Sequence, residues 1–459
     1  DNPSIYALRT SQNILSPGSA NTISIASGGL IITGTTTFNP AQVPTQGTSV
    51  TAPMTLSFGT SEAFMYTTGT ATINAQITQS AGAGGLTKFG GGTLVLAGSN
   101  TIIGDINANS GTLRFVNPVS SSGTPINSVT NGQTINANGA VISLDTLLAA
   151  TSGRDSVLAS GSRFTGYLNS NLMLNADTTV NVAAADGTTV AIQQRINNVT
   201  FADLGASSPI TFTTSGDLTV SGTTTLGANY SIISAGFSRS GHTILDGVVS
   251  GGKLIKIGTG MLDFNNSGNT FGTDNQVSLE VWGSTQNTAT SMVVSMVRTG
   301  TPFGVGDIKL NPGTMIRLFD ASNIATQKVT AASDDYGLSG VGIGYNITQS
   351  QLSALLTTTP TDGKVSLSST GRYLGGVALD AGWQYNALDI GALETQLGGG
   401  KRAADRSAPC SATQQRPVIH RFERQLLAVF AQQTVDVGQG RGCIGRQHER
   451  VLRCRDMQS

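Results

Sequence analysis

The first 400 residues consist of short runs in which apolar and polar residues alternate, and Gly, Asn, Ser or Thr separates one run from the next. Residues 71–77 and 178–182 are clear examples. Alternation of this kind is typical of β-strands that bury one face. Sustained helical periodicity is nearly absent, and residues 145–150 and 349–356 are only weak helical candidates. The pattern therefore predicts an all-β fold.

Composition narrows the fold classes further. Charged residues make up 11% of the chain and Gly contributes 58 of its 459 residues, whereas an average globular protein has roughly 25% charged residues and about 7% Gly. A helical bundle needs more Ala, Glu, Lys and Leu, and a disordered polyelectrolyte needs more charge. The formal net charge of +0 gives no reason to expect nucleic acid or an anionic membrane as a partner.

One segment occurs twice in the chain. Residues 84–101 read Gly-Gly-Leu-Thr-Lys-Phe-Gly-Gly-Gly-Thr-Leu-Val-Leu-Ala-Gly-Ser-Asn-Thr, and a diverged copy spans residues 251–271. The first copy continues to residue 115 with a turn Gly followed by a strand, an element that returns near residue 313. The repeat positions that we expect to be structural are Gly85, Leu86, Lys88, Gly90, Gly92, Leu94, Leu96, Asn100, Thr101, Gly111 and Leu113, then Leu254, Lys256, Gly258, Gly260, Leu262, Asn269 and Thr270, with Gly313 in the related element.

The repeat predicts a coil of a β-solenoid. A strand ends at a Gly-x-Gly corner where side chains are excluded, and a second strand then resumes the alternation. A strand pair this small cannot bury its apolar face alone, so neighbouring coils must stack. We expect coils of about 20–25 residues. We also expect Lys88 and Lys256 to occupy solvated positions on the outer face.

The repeat resembles a known family. Residues 84–101 resemble the autotransporter-associated β-strand repeat of bacterial surface passengers, residues 104–115 resemble its second half, and residues 298–318 resemble the linker element that often follows it. The resemblance implies a right-handed parallel β-helix, exported through the outer membrane of a Gram-negative bacterium, in which the repeat assists translocation and folding. It also implies an outer-membrane barrel in the full-length protein. Because the chain begins at Asp1 without Met or a secretory signal, we expect a processed chain or an internal fragment.

The composition changes abruptly at residue 401. Residues 401–459 hold 11 of the 26 basic residues and all three cysteines, Cys410, Cys443 and Cys454. A nucleic-acid-binding tail would explain the arginines. A metal site is a second interpretation, but the Cys and His spacing matches no paired-ligand motif. We favour a third interpretation, an out-of-frame translation. The sequence therefore predicts a β-helical region at 1–400 and a non-homologous tail at 401–459 that is disordered or frameshifted.

Few residues in the β-region suggest catalysis. Paired carboxylates, as in β-helical polysaccharide lyases and glycosidases, have three candidates: Asp334 with Asp335, Asp263 with Asp274, and Asp145 with Asp155. Adjacent aspartates point to opposite faces of a strand, so Asp334 and Asp335 fit a turn better. His242 is expected in a turn at the surface, because no Gly-x-Ser-x-Gly motif accompanies it. Trp282 and Trp383 are isolated aromatic residues that do not form a sugar-stacking series.

These observations favour a non-catalytic surface or secreted β-solenoid passenger, structural or adhesive, without cofactor or metal. Its expected partners are surface or matrix glycans or proteins, and we expect a monomeric rod that binds no nucleic acid. A β-helical polysaccharide-degrading enzyme is the main alternative, and a phage or surface-layer fibre module is a weaker one. Carboxylates on successive coils would favour the enzyme.

Overall fold

A computed structural model gives the structure of the chain. The chain divides into two units, Asp1–Gly399 and Gly400–Ser459, and every described residue lies in the first. The tail at 401–459, the helical candidate at 349–356 and the position of Gly313 therefore lie outside the described residues. The structure describes residues 2–15, 21–38, 54–98, 100–118, 132–147, 164–168, 170–184, 192–205, 208–236, 242–274, 276–283, 291–297, 299–311, 314–318, 327, 329–331, 340–343 and 366–368.

The described residues form 35 strands and no helix. Every ladder among these strands is parallel, from the pairing of Ser4 with Ser24 to that of Gly342 with Ser368. The predicted all-β parallel β-helix is thus confirmed. The helical candidate at 145–150 is wrong, because its first three residues end the strand Val141–Leu147. Parallel pairing there overrides a weak local preference.

Three faces run along the solenoid, each made of parallel strands from successive coils. The first face is the 10-stranded sheet, with β2 (Leu8–Thr10), β4 (Gly29–Ile32), β7 (Ala63–Thr67), β10 (Leu86–Phe89), β12 (Ile106–Ala108), β14 (Thr134–Ala137), β17 (Asn171–Leu174), β20 (Val199–Phe201), β23 (Thr224–Thr225) and β26 (Val249–Ser250). The second face is the 12-stranded sheet, with β5 (Thr36–Phe38), β8 (Thr70–Ile73), β11 (Thr93–Leu96), β13 (Thr112–Pro118), β15 (Val141–Leu147), β18 (Thr178–Ala184), β21 (Thr211–Ser215), β24 (Tyr230–Ala235), β27 (Lys253–Ile257), β29 (Val277–Val281), β31 (Asp307–Leu310) and β33 (Val329–Ala331).

The third face consists of two sheets at different levels of the solenoid. The N-terminal one is 4-stranded, with β1 (Ser4–Ile5), β3 (Thr22–Ile25), β6 (Thr55–Ser57) and β9 (Gln76–Thr78). The other is 9-stranded, with β16 (Phe164–Tyr167), β19 (Ile192–Ile196), β22 (Asp217–Val220), β25 (His242–Leu245), β28 (Met261–Phe264), β30 (Ser291–Ser295), β32 (Thr314–Leu318), β34 (Gly340–Ile343) and β35 (Ser366–Ser368).

From β16 to β28 the chain visits the third, first and second faces in unchanging order, which defines a three-sided coil. Coil length varies more widely than expected. Leu94 pairs with Leu113, whereas Ile142 pairs with Val180, so the second of these coils is twice as long as the first. The parallel ladder fixes the inward positions, and the connections between strands absorb the difference in length.

The core is a stack of inward-pointing side chains. Leu86, Leu94, Leu96, Leu113, Leu254 and Leu262 are all 0% exposed. On β10, β13 and β27 they alternate with less buried positions, as the sequence pattern predicted. On β11 and β28 the intervening Val95 and Asp263 are buried as well. Burial of this apolar surface is the main favourable contribution to stability, at about 25 cal/mol per Å².

Glycines stack at the corner between the first and second faces. A Cβ on Gly92 would lie 2.2 Å from the carbonyl oxygen of Gly69, and a Cβ on Gly69 would lie 2.5 Å from the carbonyl of Gly34. Successive coils approach too closely here for any side chain. Gly91, next in the chain to Gly92, has open space around its Cβ position.

Candidate functional site

The two recurring lysines lie inside the solenoid. Lys88 on β10 and Lys256 on β27 are both 0% exposed, so the expectation that they occupy solvated outer positions is wrong. The sequence did contain the signal: Lys88 is two residues after Leu86, and Lys256 is two residues after Leu254, so each lysine shares the inward side of its strand. Burying a charge is costly unless it is fully hydrogen-bonded.

Lys88 meets that requirement with backbone carbonyls. Its Nζ donates to the carbonyl oxygens of Gly90 at 2.6 Å and Gly92 at 2.8 Å, both in the corner between β10 and β11. The third donor bonds the carbonyl of Ser110, at 2.6 Å, on the following coil. An ammonium has three donors, and all three are used. The lysine therefore joins its own corner to the next coil.

Lys256 forms the same arrangement in the second copy. Its Nζ donates to the carbonyl oxygens of Gly258 and Gly260, each at 2.6 Å, and to the Ser291 hydroxyl oxygen at 2.7 Å. Ser291 begins β30 on the following coil. The diverged repeat thus keeps the two corner carbonyls and replaces the third acceptor with a hydroxyl.

Glycine is required at these corners for conformation and for space. Gly90 and Gly258 have φ values of +84° and +79°, in the left-handed region that disfavours other residues. Gly111, on the next coil, has φ +68°, and a Cβ there would lie 2.6 Å from the Lys88 Nζ. Gly85, before β10, has φ +93° and packs against the backbone of Asp105. The Gly-x-Gly corner is therefore a cage for an ammonium group.

Burial changes the acidity of both lysines. Desolvation lowers the pKa of Lys88 to about 8. Desolvation also lowers the pKa of Lys256 to about 7, and the nearby charge of Asp263 opposes this effect. A neutral amine donates only two hydrogens, so loss of the proton leaves one of the three acceptors without its donor.

The Asn-Thr pair of the repeat clamps the preceding coil. The Asn100 Oδ1 accepts a hydrogen bond from the Ile77 backbone N–H at 2.9 Å, and the Thr101 N–H donates to the Ile77 carbonyl at 2.7 Å. The second copy repeats both bonds. Asn269 accepts from the Val249 N–H at 2.8 Å, and the Thr270 N–H donates to the Val249 carbonyl at 2.9 Å. Asn100 and Asn269 are buried.

The two copies occupy different corners of the triangle. In the first copy β10 belongs to the first face and β11 to the second. In the second copy β27 belongs to the second face and β28 to the third. The strand–corner–strand unit is thus preserved while its place around the axis moves by one corner.

Of the three candidate carboxylate pairs, only Asp263 with Asp274 lies entirely within the described residues. Asp263 lies against His242, with 2.9 Å between Oδ2 and Nδ1, and Asp274 is exposed. Asp145 forms an ion pair with Arg114 and accepts from the Ser143 hydroxyl at 2.7 Å. His242 begins β25, so its expected place in a turn is wrong. Asp155, Asp334, Asp335 and Trp383 lie outside the described residues.

Glu280 lies at the centre of a charged cluster that sequence reasoning missed. On the outer side of the second face, its Oε1 accepts from the Lys309 Nζ at 2.9 Å and the Asn311 Nδ2 at 3.1 Å. Its Oε2 accepts from the Lys253 Nζ. Burial alone would raise the pKa of Glu280, but the hydrogen bonds from these three side chains lower it to about 2. Trp282 is adjacent, with the Lys309 Nζ 5.9 Å from its ring centroid.

Neither a membrane-spanning helix nor a metal-binding cluster occurs in the part of the chain that the structure describes. None of its described segments is a helix with the length and apolar character needed to cross a bilayer. Its described His, Cys, Asp and Glu side chains include no group of three or more arranged to hold a metal ion.

Comparison with known proteins gives no match to a protein-family model, a curated protein or a solved structure.

Proposed function

We propose that this chain is a non-catalytic β-solenoid passenger of an autotransporter-like protein, exported to the bacterial surface or secreted, where it acts as a structural or adhesive rod. The observation that carries the proposal is the buried lysine corner. Each ammonium joins a finished corner to one acceptor on the next coil, so every such corner presents a carbonyl cage that helps to order the neighbouring coil. A chain that emerges through a pore from one end folds well by such nearest-neighbour steps.

The outer surface supports the same function. On the first face, side-chain amides form a ladder along the axis: Asn138 donates to Asn109 at 2.6 Å, and Asn175 donates to Asn138 at 2.8 Å. Such ladders add coil-to-coil bonds on the solvent side, where they also present amide groups to a ligand. The first 400 residues contain no cysteine, which suits a chain that crosses a membrane before it folds.

The test places the chain between a cleavable export signal and the outer-membrane barrel of a known autotransporter in a Gram-negative host. We expect the passenger to be cleaved by protease added to intact cells. The Lys88→Met and Lys256→Met double variant should show at least a several-fold lower surface signal, whereas Gly91→Ala should match the wild type. Retention of the wild-type chain in the periplasm, or equal display of the double variant, would contradict the proposal.

A polysaccharide-degrading enzyme is a second candidate, favoured by one cluster on the third face. Asp217, His242 and Asp263 lie on the successive strands β22, β25 and β28. The His242 backbone N–H donates to the Asp217 Oδ1 at 2.8 Å, and the second Asp263 oxygen, Oδ1, is buried with no hydrogen-bond partner among the described residues. Incubation with acidic and neutral polysaccharides, followed by assays for new reducing ends and unsaturated products, tests this function. Turnover that disappears in His242→Ala would establish it over the passenger proposal.

A further inference from the structure

The outer side of the second face carries a cationic and aromatic platform, made of Lys253, Glu280, Trp282 and Lys309. These residues come from three successive coils, on β27, β29 and β31 and directly after β29. Glu280 and Lys309 are register partners across the parallel ladder. The platform is therefore fixed to a parallel ladder, just after the register shift between Val277 and Leu279.

Glu280 holds the two ammonium groups in place without using up their donors. Its side chain is only 7% exposed, whereas those of Lys253 and Lys309 are 29% and 42% exposed. Each ammonium gives one hydrogen to the carboxylate. Since an ammonium carries three donors, each lysine retains donors that face solvent. The cluster of two lysines and one glutamate has a net charge of +1.

Trp282 supplies the second kind of contact. Its side chain is among the exposed large hydrophobic residues, at 47%. Tyr230, the register partner of Lys253 on the preceding coil, is half-buried on the same outer side. An indole beside a fixed cation offers an apolar ring surface next to an anion-binding point. Sugar rings present apolar C–H faces, and acidic sugars add a carboxylate at the ring edge.

We propose that the platform of Lys253, Glu280, Trp282 and Lys309 binds acidic glycans, with a sugar ring against Trp282 and its anionic group bound by the remaining donors of the two ammonium groups. Charge favours a sparsely charged glycan over a nucleic acid. Residues 1–400 hold 15 basic and 21 acidic residues, so the rod as a whole repels a dense polyanion, which needs an extended basic surface. An isolated carboxylate on a glycan needs only the local +1.

This inference gives the adhesive part of the proposed function a ligand class, and its test uses the purified full chain, so failure of surface display and failure of binding are separate results. A hyaluronan hexasaccharide, which carries a uronate carboxylate on every second sugar, is titrated calorimetrically, beside its methyl-esterified form and a sulfated heparin-derived hexasaccharide. We expect binding of the free acid that weakens with added salt, and at least tenfold weaker binding of the ester. Binding of the sulfated sugar alone would place the ligand among sulfated rather than carboxylated glycans and overturn the uronate assignment.

Variants then locate the site. Lys309→Gln and Trp282→Ala should each lower the affinity at least fivefold, and Trp282→Phe should retain part of it. Tyr6→Ala and Arg9→Gln, which change an exposed aromatic and an exposed cation on the N-terminal coils, should remain within twofold of the wild type. Equal binding by the Lys309 and Trp282 variants, equal binding of the ester, or tighter binding of single-stranded DNA than of the uronate refutes the proposal. Wild-type circular dichroism of each variant confirms that it is folded.

Discussion

Replacing Lys88 with methionine removes one ammonium and the three hydrogen bonds that it donates to carbonyl oxygens. The bond to Gly92 is fully buried, and those to Gly90 and Ser110 are only partly buried. The Gly92 oxygen keeps the hydrogen bond that it accepts from the Thr112 N–H, and water can reach the two partly buried oxygens, so each lost bond costs about 1 kcal/mol. The methionine fills most of the space, so we expect a local destabilisation of about 3 kcal/mol.

Hydrogen exchange measured by mass spectrometry suits this prediction, because coil stability in a solenoid is local. The reporters are the amides of Thr93 and Thr112, which donate to the carbonyls of Gly69 and Gly92. A loss of about 3 kcal/mol raises their exchange rates roughly 10²-fold. The corner of Lys256, far along the chain, serves as an internal control. Unchanged exchange at Thr93 and Thr112, or an equal rise at both corners, would refute the reasoning.

Three more predictions concern the repeat. Gly92→Ala should lower the melting temperature strongly, because its Cβ would lie 2.2 Å from a carbonyl oxygen, while Gly91→Ala should leave it unchanged; equal melting of the pair contradicts the corner packing. Asn100→Ala leaves the buried N–H of Ile77 without its acceptor and should lower the free energy of unfolding, measured by urea denaturation, by about 1–3 kcal/mol. An unchanged free energy of unfolding would mean that water replaces the side-chain amide of Asn100. The pKa of Lys256 is about 7 in the folded chain, and its ordinary value is 10.5. Between pH 7 and pH 10.5 the unfolded chain therefore binds one more proton at this lysine than the folded chain, so the free energy of unfolding should rise with pH across this range. Lys256→Met should flatten that rise. The same pH dependence of stability in the variant and the wild type would contradict the lowered pKa.

The repeat shows how much of this fold the sequence could predict. Alternation predicts that Leu86, Leu94 and Leu96 lie in the core, and the Gly-x-Gly spacing locates the corner. Strand parity, by which residues two apart point to the same side of a strand, also puts each of the two recurring lysines on the side of a buried leucine. This placement conflicts with the expectation that a charge stays in solvent. Parity prevails because it is a geometric constraint of the strand, whereas the solvation of a charge can be replaced by a carbonyl cage.

The cluster around Glu280 could not be read from sequence. Glu280 and Lys309 are register partners. The chain between them is about one and a half times as long as the chain between the partners Leu94 and Leu113. With coil lengths this variable, no fixed period brings Lys253, Glu280 and Lys309 together. Only the ladder shows that three coils place them side by side on the outer surface.

The displacement of the two repeat copies by one corner has a consequence for how such chains grow. The module that recurs is one corner of the coil, smaller than a whole turn, since β10 with β11 and β27 with β28 place the same two corner carbonyls around a lysine at different corners. A duplicated corner can enter the chain at any of the three corners of the coil, provided that the connecting segments lead the chain back into the coil in the same direction. Each such insertion moves the downstream outward-facing residues by one face about the axis, so a surface cluster can change face while the inward-pointing side chains of the solenoid stay the same.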